Sequence, residues 1–218
     1  MVETSLVIFD CDGVLVDSEA ISNRVLAQML TAEGLPTTLA QSRRRYQGLL
    51  LADIAADAQR RLGRSLPESW QEGYESARDA AFQLELQPVA GAAQLVEAVR
   101  AAGTGVCVAS QGKPTKIRLS LELTGLLGLF DEEALFSAYS VPRGKPHPDL
   151  FLHAAQRMGV GADACVVIED TPSGVTAAVS AGMRVIGYGA DSDGGALQLA
   201  GAELVVESMD DVLGLLRL

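Results

Sequence analysis

Two aspartates one residue apart, Asp10 and Asp12, close the small and apolar run Ser5 to Phe9, and Gly13 follows them. The run reads as a short strand buried on both faces, and the glycine lets the backbone turn sharply after it. A buried strand that ends on two carboxylates needs something to neutralise them. In open α/β sheets the carboxyl ends of the strands are also where ligands bind. A divalent cation is the simplest neutraliser. Mg²⁺ suits a hard-oxygen site of this kind because it keeps several waters and shares itself with substrate phosphates. Taken alone, Asp-x-Asp-Gly fits a solvated turn equally well.

Three further stretches put polar groups at the end of an apolar run or beside a glycine. Ser110 follows Gly105 to Ala109, Lys145 lies in Arg143-Gly144-Lys145-Pro146-His147-Pro148-Asp149, and Glu169-Asp170 follow Cys165 to Ile168. Each has a local reading: a helix N-cap, a solvated loop lysine, acids favoured at a helix start. If the strands are parallel, all of these groups share one edge of the sheet and can converge.

The elements that must position them follow from periodicity. From Asp17 to Gln87 the pattern is helical throughout, with helices over about 20–33, 39–46, 52–62 and 68–84. Roughly seventy residues of helix are too many for one strand-to-strand crossover, so the block reads as an inserted four-helix-type cap after the first strand. From Pro88 onward strands near 105–109, 134–136, 165–168, 184–187 and 203–206 alternate with helices. The fold class is therefore α/β, a doubly wound, mostly parallel, Rossmann-like sheet. Residues 1–16 and 88–218 are expected to form the core, and residues 17–87 the cap.

The four stretches, in this order, resemble the motifs of the haloacid dehalogenase (HAD) superfamily, in its phosphatase and β-phosphoglucomutase-like group with a helical cap. Asp10-x-Asp12-Gly13-Val14-Leu15-Val16-Asp17-Ser18-Glu19 is similar to the first motif and Ala109-Ser110 to the second. Gly144-Lys145-Pro146-x-Pro148-Asp149 is similar to the third, and Ile168-Glu169-Asp170-Thr171-x-Ser173-Gly174 to the fourth. The resemblance implies Asp10 as nucleophile and Asp12 as general acid and base. It implies Ser110, Gln111 and Lys145 around the phosphoryl group. Mg²⁺ would be held by Asp10, the Asp12 backbone carbonyl, Glu169 and Asp170. Arg45, Gln47 and Gly48 lie in the cap loop that would enter the site and choose the substrate.

An acid at Asp12 favours a phosphate ester, since a dehalogenase has no alkoxide to protonate. The expected activity is hydrolysis of a small phosphorylated metabolite, a sugar, sugar acid or polyol phosphate, with sugar-acid phosphatases such as those acting on 6-phosphogluconate resembling it most. A phosphomutase is the alternative. In β-phosphoglucomutases, however, a His stands where this chain has Ser22 and a basic residue where it has Leu51. An inactive scaffold on the same fold is a further alternative, disfavoured by the intact acids.

Composition bounds the rest. With a formal net charge of −11, the chain repels nucleic acid and anionic membranes at long range. No apolar run is long enough to span a bilayer. Three cysteines far apart suggest buried filler in a reducing, cytoplasmic setting, and the acidic start Met1-Val2-Glu3-Thr4 reads as no signal peptide. A monomer is expected. Only Lys113, Lys116 and Lys145 break an arginine-biased basic set, all expected in the two loops that carry the chemistry.

Overall fold

The computed structural model describes residues 3–216, so Met1, Val2 and the last two residues of the expected core lie outside it. Strand β1 is Leu6–Phe9, β2 Gly105–Ser110, β3 Leu135–Ser137, β4 Cys165–Glu169, β5 Arg184–Tyr188 and β6 Leu204–Val206. They form one sheet in the order β3-β2-β1-β4-β5-β6 with every neighbouring pair parallel. The order reverses at β1, which sits between β2 and β4 and is buried on both faces. That is the switch point at which such sheets open a crevice.

Side chains alternate across the pleat into two separate cores. Val7, Phe9, Val108 and Ile168 face one side, packed on α5 (Ala92–Ala101), α6 (Pro114–Leu123) and α10 (Met209–Leu215). Leu6, Ile8, Cys107 and Val167 face the other, under α7 (Asp149–Arg157), α8 (Pro172–Ser180) and α9 (Gly194–Ala200). Cys11, Cys107 and Cys165 are free and buried, as filler should be. Helix α9 is absent from the sequence reading because Gly194-Gly195 opens it with poor helix formers. Asp193 compensates by accepting hydrogen bonds from the Gly195 and Ala196 amides at 3.0 and 3.2 Å, and Leu197 anchors the turn in the core.

Between β1 and β2 come α1 (Glu19–Ala32), α2 (Leu39–Tyr46), α3 (Leu51–Leu62) and α4 (Trp70–Glu85). They bury a third cluster of their own, including Val25, Leu26, Leu30, Ile54, Trp70 and Tyr74. Thr38 and Gln41 form a reciprocal capping box at the start of α2. The two connections to the sheet lie side by side: the Asp17 amide donates to the Gln87 carbonyl and the Val89 amide to the Leu15 carbonyl, both at 2.9 Å. Helix α4 continues through Leu84, so the second connection begins at Leu86. A pair of short strands with few bonds between them is a natural hinge. Solution scattering with and without a phosphate mimic is expected to show the four helices swinging about residues 14–18 and 86–88. Identical curves, with full activity after cross-linking the helices to the sheet, would rule gating out.

Candidate active site

Register decides what meets at the sheet edge. Phe9 lies opposite both Val108 and Ile168, so Asp10, Ser110 and Glu169-Asp170 leave adjacent strands at one level. Lys145 reaches into their midst from the loop before α7. Its ammonium donates to Asp10 Oδ1 at 2.5 Å, Glu169 Oε1 at 2.6 Å and the Ala109 carbonyl at 3.0 Å. Three protons meet three acceptors. The Gln111 side chain grips the Lys145 backbone, its Oε1 accepting from Lys145 N at 3.1 Å and its Nε2 donating to Lys145 O at 3.3 Å. Gln111, expected to touch phosphate, thus positions the lysine as well as lining the cavity.

Glu169, expected among the metal ligands, carries hydrogen bonds on both carboxylate oxygens. Its second oxygen accepts from the Thr171 amide and hydroxyl, each at 2.8 Å, so both oxygens are committed to Lys145 and the start of α8. Its charge holds the lysine.

Asp12 stands across from this group. Ser18 and Lys116 both donate to its Oδ1, and the Ser110 hydroxyl lies 3.4 Å from its Oδ2. Sequence reasoning missed Lys116 and Ser18 as members of the site. Lys116 sits on the first turn of α6 rather than in a loop, with its side chain buried beside Ile117. The one signal for it was its rarity as a lysine in an arginine-biased chain.

The acids outnumber the bases, and titration reflects it. Burial, with repulsion from Glu169 and Asp12, pushes the Asp10 carboxyl up to about 7 despite Lys145. Burial and the charges of Glu169 and Asp10 push Asp170 well above the usual carboxylate range. Burial also acts on Asp12, but the Lys116 ammonium, its hydrogen bond and that of Ser18 outweigh it and hold this carboxyl below its ordinary value. Lys145 and Lys116 are both held above the usual lysine range, where Asp10 and Asp12 respectively overcome the effect of burial.

This excess of buried negative charge fits a cation. Asp170 Oδ1 is buried without any hydrogen-bond partner, and a Cβ at Gly13 would lie 2.8 Å from Asp170 Cγ, so only glycine leaves that space free. Among the described residues no three His, Cys, Asp or Glu side chains converge as a metal cage. The buried Asp10 and Asp170 carboxylates offer the few hard oxygens that a divalent cation keeping its own waters needs.

The four helices close over the site. Gly48, at φ +74°, brings its backbone against Thr171 and Ser173, where a Cβ would lie 3.2 Å from the Ser173 hydroxyl. Gln47 Nε2 lies 3.5 Å from Asp170 Oδ2, and Lys113 pairs with Glu75 of α4 at 2.6 Å. The cavity so enclosed has Asp10, Asp12 and Lys145 as its floor and Ser22, Leu26, Gln47, Leu51 and Ile54 among its walls. Arg45, expected beside the substrate, turns away: it makes a two-point ion pair with Asp57, which also binds the Tyr46 hydroxyl. The arginine run ends a helix, and its last member is spent on holding α2 to α3.

Residues 4–182 match the haloacid dehalogenase-like hydrolase family. The chain belongs to that family. Among its relatives, the 6-phosphogluconate phosphatase of Escherichia coli is 34% identical over 85% of this chain and 82% of its own. Hexitol phosphatase A of the same organism is 29% identical over 94% of this chain and 91% of its own. The crystal structure of a HAD family hydrolase from Deinococcus radiodurans, with bound phosphate and sodium, superposes with a TM-score of 0.79 at 31% identity, covering 99% of each chain. No helix among the described residues is long and apolar enough to cross a membrane.

Proposed function

We propose that this hydrolase is a Mg²⁺-dependent phosphatase that releases phosphate from a small phosphorylated carbohydrate, working as a monomer in the cytoplasm through an aspartyl-phosphate. The observation that carries the reading is the division of labour between the two aspartates. Asp10 is oriented by a fully committed lysine, while Asp12 stands apart on its own hydrogen bonds. The relatives that act on 6-phosphogluconate and hexitol phosphates support the carbohydrate class.

In the first step an Asp10 carboxylate oxygen attacks phosphorus and the bond from phosphorus to the ester oxygen breaks. Asp12, which Lys116 and Ser18 hold ionised in the resting site, passes to the departing alkoxide a proton taken up from the monoanionic form of the phosphate ester. In the second step Asp12, now a carboxylate, takes a proton from water, whose oxygen attacks phosphorus and frees Asp10 and inorganic phosphate. Lys145, its three protons already placed, neutralises charge on the phosphoryl oxygens through space, and Ser110 donates to them, which is most of what a loose, charge-spread transition state requires. The side chains of Asp10 and Asp170 and the Asp12 carbonyl would hold Mg²⁺, which when bound screens the repulsion between the nucleophile and the phosphate. The test is phosphate release across a panel of phosphometabolites. Turnover is expected on carbohydrate phosphates, stopped by chelator and restored by Mg²⁺; turnover indifferent to chelator would refute the metal dependence.

The cavity also speaks against isomerisation. A mutase must grip a second phosphate, and charge-assisted contacts contribute about 1.5–3 kcal/mol each. Every cation lining the cavity already has a carboxylate: Arg78 with Asp79, Lys113 with Glu75, Lys116 with Asp12, Lys145 with Asp10. Ser22 and Leu51 face the same space uncharged. Given β-glucose 1-phosphate and a catalytic amount of its 1,6-bisphosphate, the enzyme is expected to form little glucose 6-phosphate. Rapid isomerisation without phosphate release would establish the mutase instead.

A further inference from the structure

Glu19 is an acid for which the proposed chemistry has no task. It opens α1, lines the cavity, and has no ion-pair partner among the described residues. Its carboxylate is nonetheless held firmly. Asn23, one helical turn on, donates its side-chain amide to Glu19 Oε2 and to the Glu19 carbonyl, each at 2.9 Å. Asn23 is itself fixed by the buried Ser42 hydroxyl of α2, which donates to Asn23 Oδ1 at 2.8 Å. Two buried polar residues from two helices therefore serve to aim one carboxyl into the cavity. Glu19 is half-buried and only one of its carboxylate oxygens accepts from Asn23, so the other is open to a donor that arrives with the ligand.

Its place in the chain says which part of the ligand that is. Ser18 donates to Asp12, and Glu19 is the next residue, about 3.8 Å further along the backbone. If Asp12 protonates the ester oxygen, its neighbour faces the substituent on the adjacent carbons. We propose that Glu19, braced by Asn23 and Ser42, accepts a hydrogen bond from the hydroxyl on the carbon next to the phosphorylated one, and so selects polyhydroxylated esters. This rests on the phosphatase reading and deepens it. A substrate bearing carboxylate at that carbon brings no donor and adds another negative charge to a site already rich in acid. Phosphoglycolate is such a substrate and is discriminated against.

The experiment compares glycerol 1-phosphate with 1,3-propanediol phosphate, which differ in that one hydroxyl. The native enzyme is expected to favour the former in kcat/KM by about tenfold to a hundredfold, the range one such hydrogen bond commands. Glu19→Ala is expected to bring that ratio close to one, and Glu19→Gln, whose single amide oxygen serves either Asn23 or the hydroxyl but not both, to restore only part of it. The same ratio is read without catalysis, as affinities of the two esters for Asp10→Asn by calorimetry, so absence of turnover would refute the phosphatase and leave the subsite decided. Mn²⁺ affinity measured by electron paramagnetic resonance separates the other role open to this acid. A native ratio near one overturns the proposal. A Glu19→Ala variant that keeps the native ratio while losing Mn²⁺ affinity also overturns it and assigns Glu19 to the metal's waters.

Discussion

Asp10→Asn is expected to lower phosphate release on the order of 10⁴-fold or more, because an amide oxygen neither attacks phosphorus usefully nor leaves again as a carboxylate. The same substitution should not harm the fold. Burial places the folded Asp10 carboxyl at about 7, against a value near 3.8 for an ordinary aspartate. A folded value above the unfolded one means that the folded protein takes up a proton as pH falls. The metal-free protein therefore gains stability between about pH 7 and 4, and above that window ionised Asp10 works against folding. An asparagine removes that penalty. In chelator at pH 8 the variant is expected to melt no lower than the native protein, and with a weaker dependence on pH. A variant that melted well below it would mean that the Asp10 charge is needed to hold Lys145, not merely tolerated.

Lys145→Ala is the second large effect, and here activity and stability should fall together. The ammonium is the common partner of Asp10 and Glu169, at 2.5 and 2.6 Å, with a side chain only 3% exposed. Removing it leaves two carboxyls buried without their counterion, a change that typically costs about 3–5 kcal/mol. Phosphate release should drop by about 10³-fold through loss of positioning and charge neutralisation at the phosphoryl oxygens. Adding Glu169→Ala to Lys145→Ala is the informative control. The double variant should regain part of the stability, since one stranded charge is gone, and none of the activity. Equal losses in single and double variants would show that Glu169 contributes to folding independently of the lysine.

Much of this site was legible because the signals were local. Each strand that carries chemistry ends abruptly on a polar residue, so Asp10, Ser110, Glu169 and Asp170 could be placed at one edge before any register was known. The parallel pairing of Phe9 with Val108 and Ile168 then brings them together. The inserted helices were legible for a similar reason. Helical periodicity runs from α1 to α4 without a strand between, and the apolar faces of four such helices must bury one another.

What was not legible depends on contacts between distant elements. The orientation of Glu169 is decided by Lys145 and by the Thr171 amide, and two adjacent acids do not reveal which one turns inward. Lys116 looks like an ordinary helix residue until α6 is docked beside Asp12. Arg45, read as part of the substrate loop, lies in the last turn of α2, where Asp57 on the next helix captures it. Glu19 belongs to a motif whose aspartates draw attention first, and only the relay through Asn23 and Ser42 shows that its carboxyl is aimed.

The central claim, covalent catalysis by Asp10, is tested most directly by trapping the phosphoryl group during turnover. The native enzyme with Mg²⁺ and a substrate found in the panel would be quenched in acid within one turnover, digested and weighed by mass spectrometry. The expected result is one phosphoryl group on the peptide containing Asp10, absent from the Asp10→Asn variant and from enzyme quenched after substrate is exhausted. Rapid phosphate release with no phosphorylated peptide at any quench time, or with the label on another residue, would contradict it.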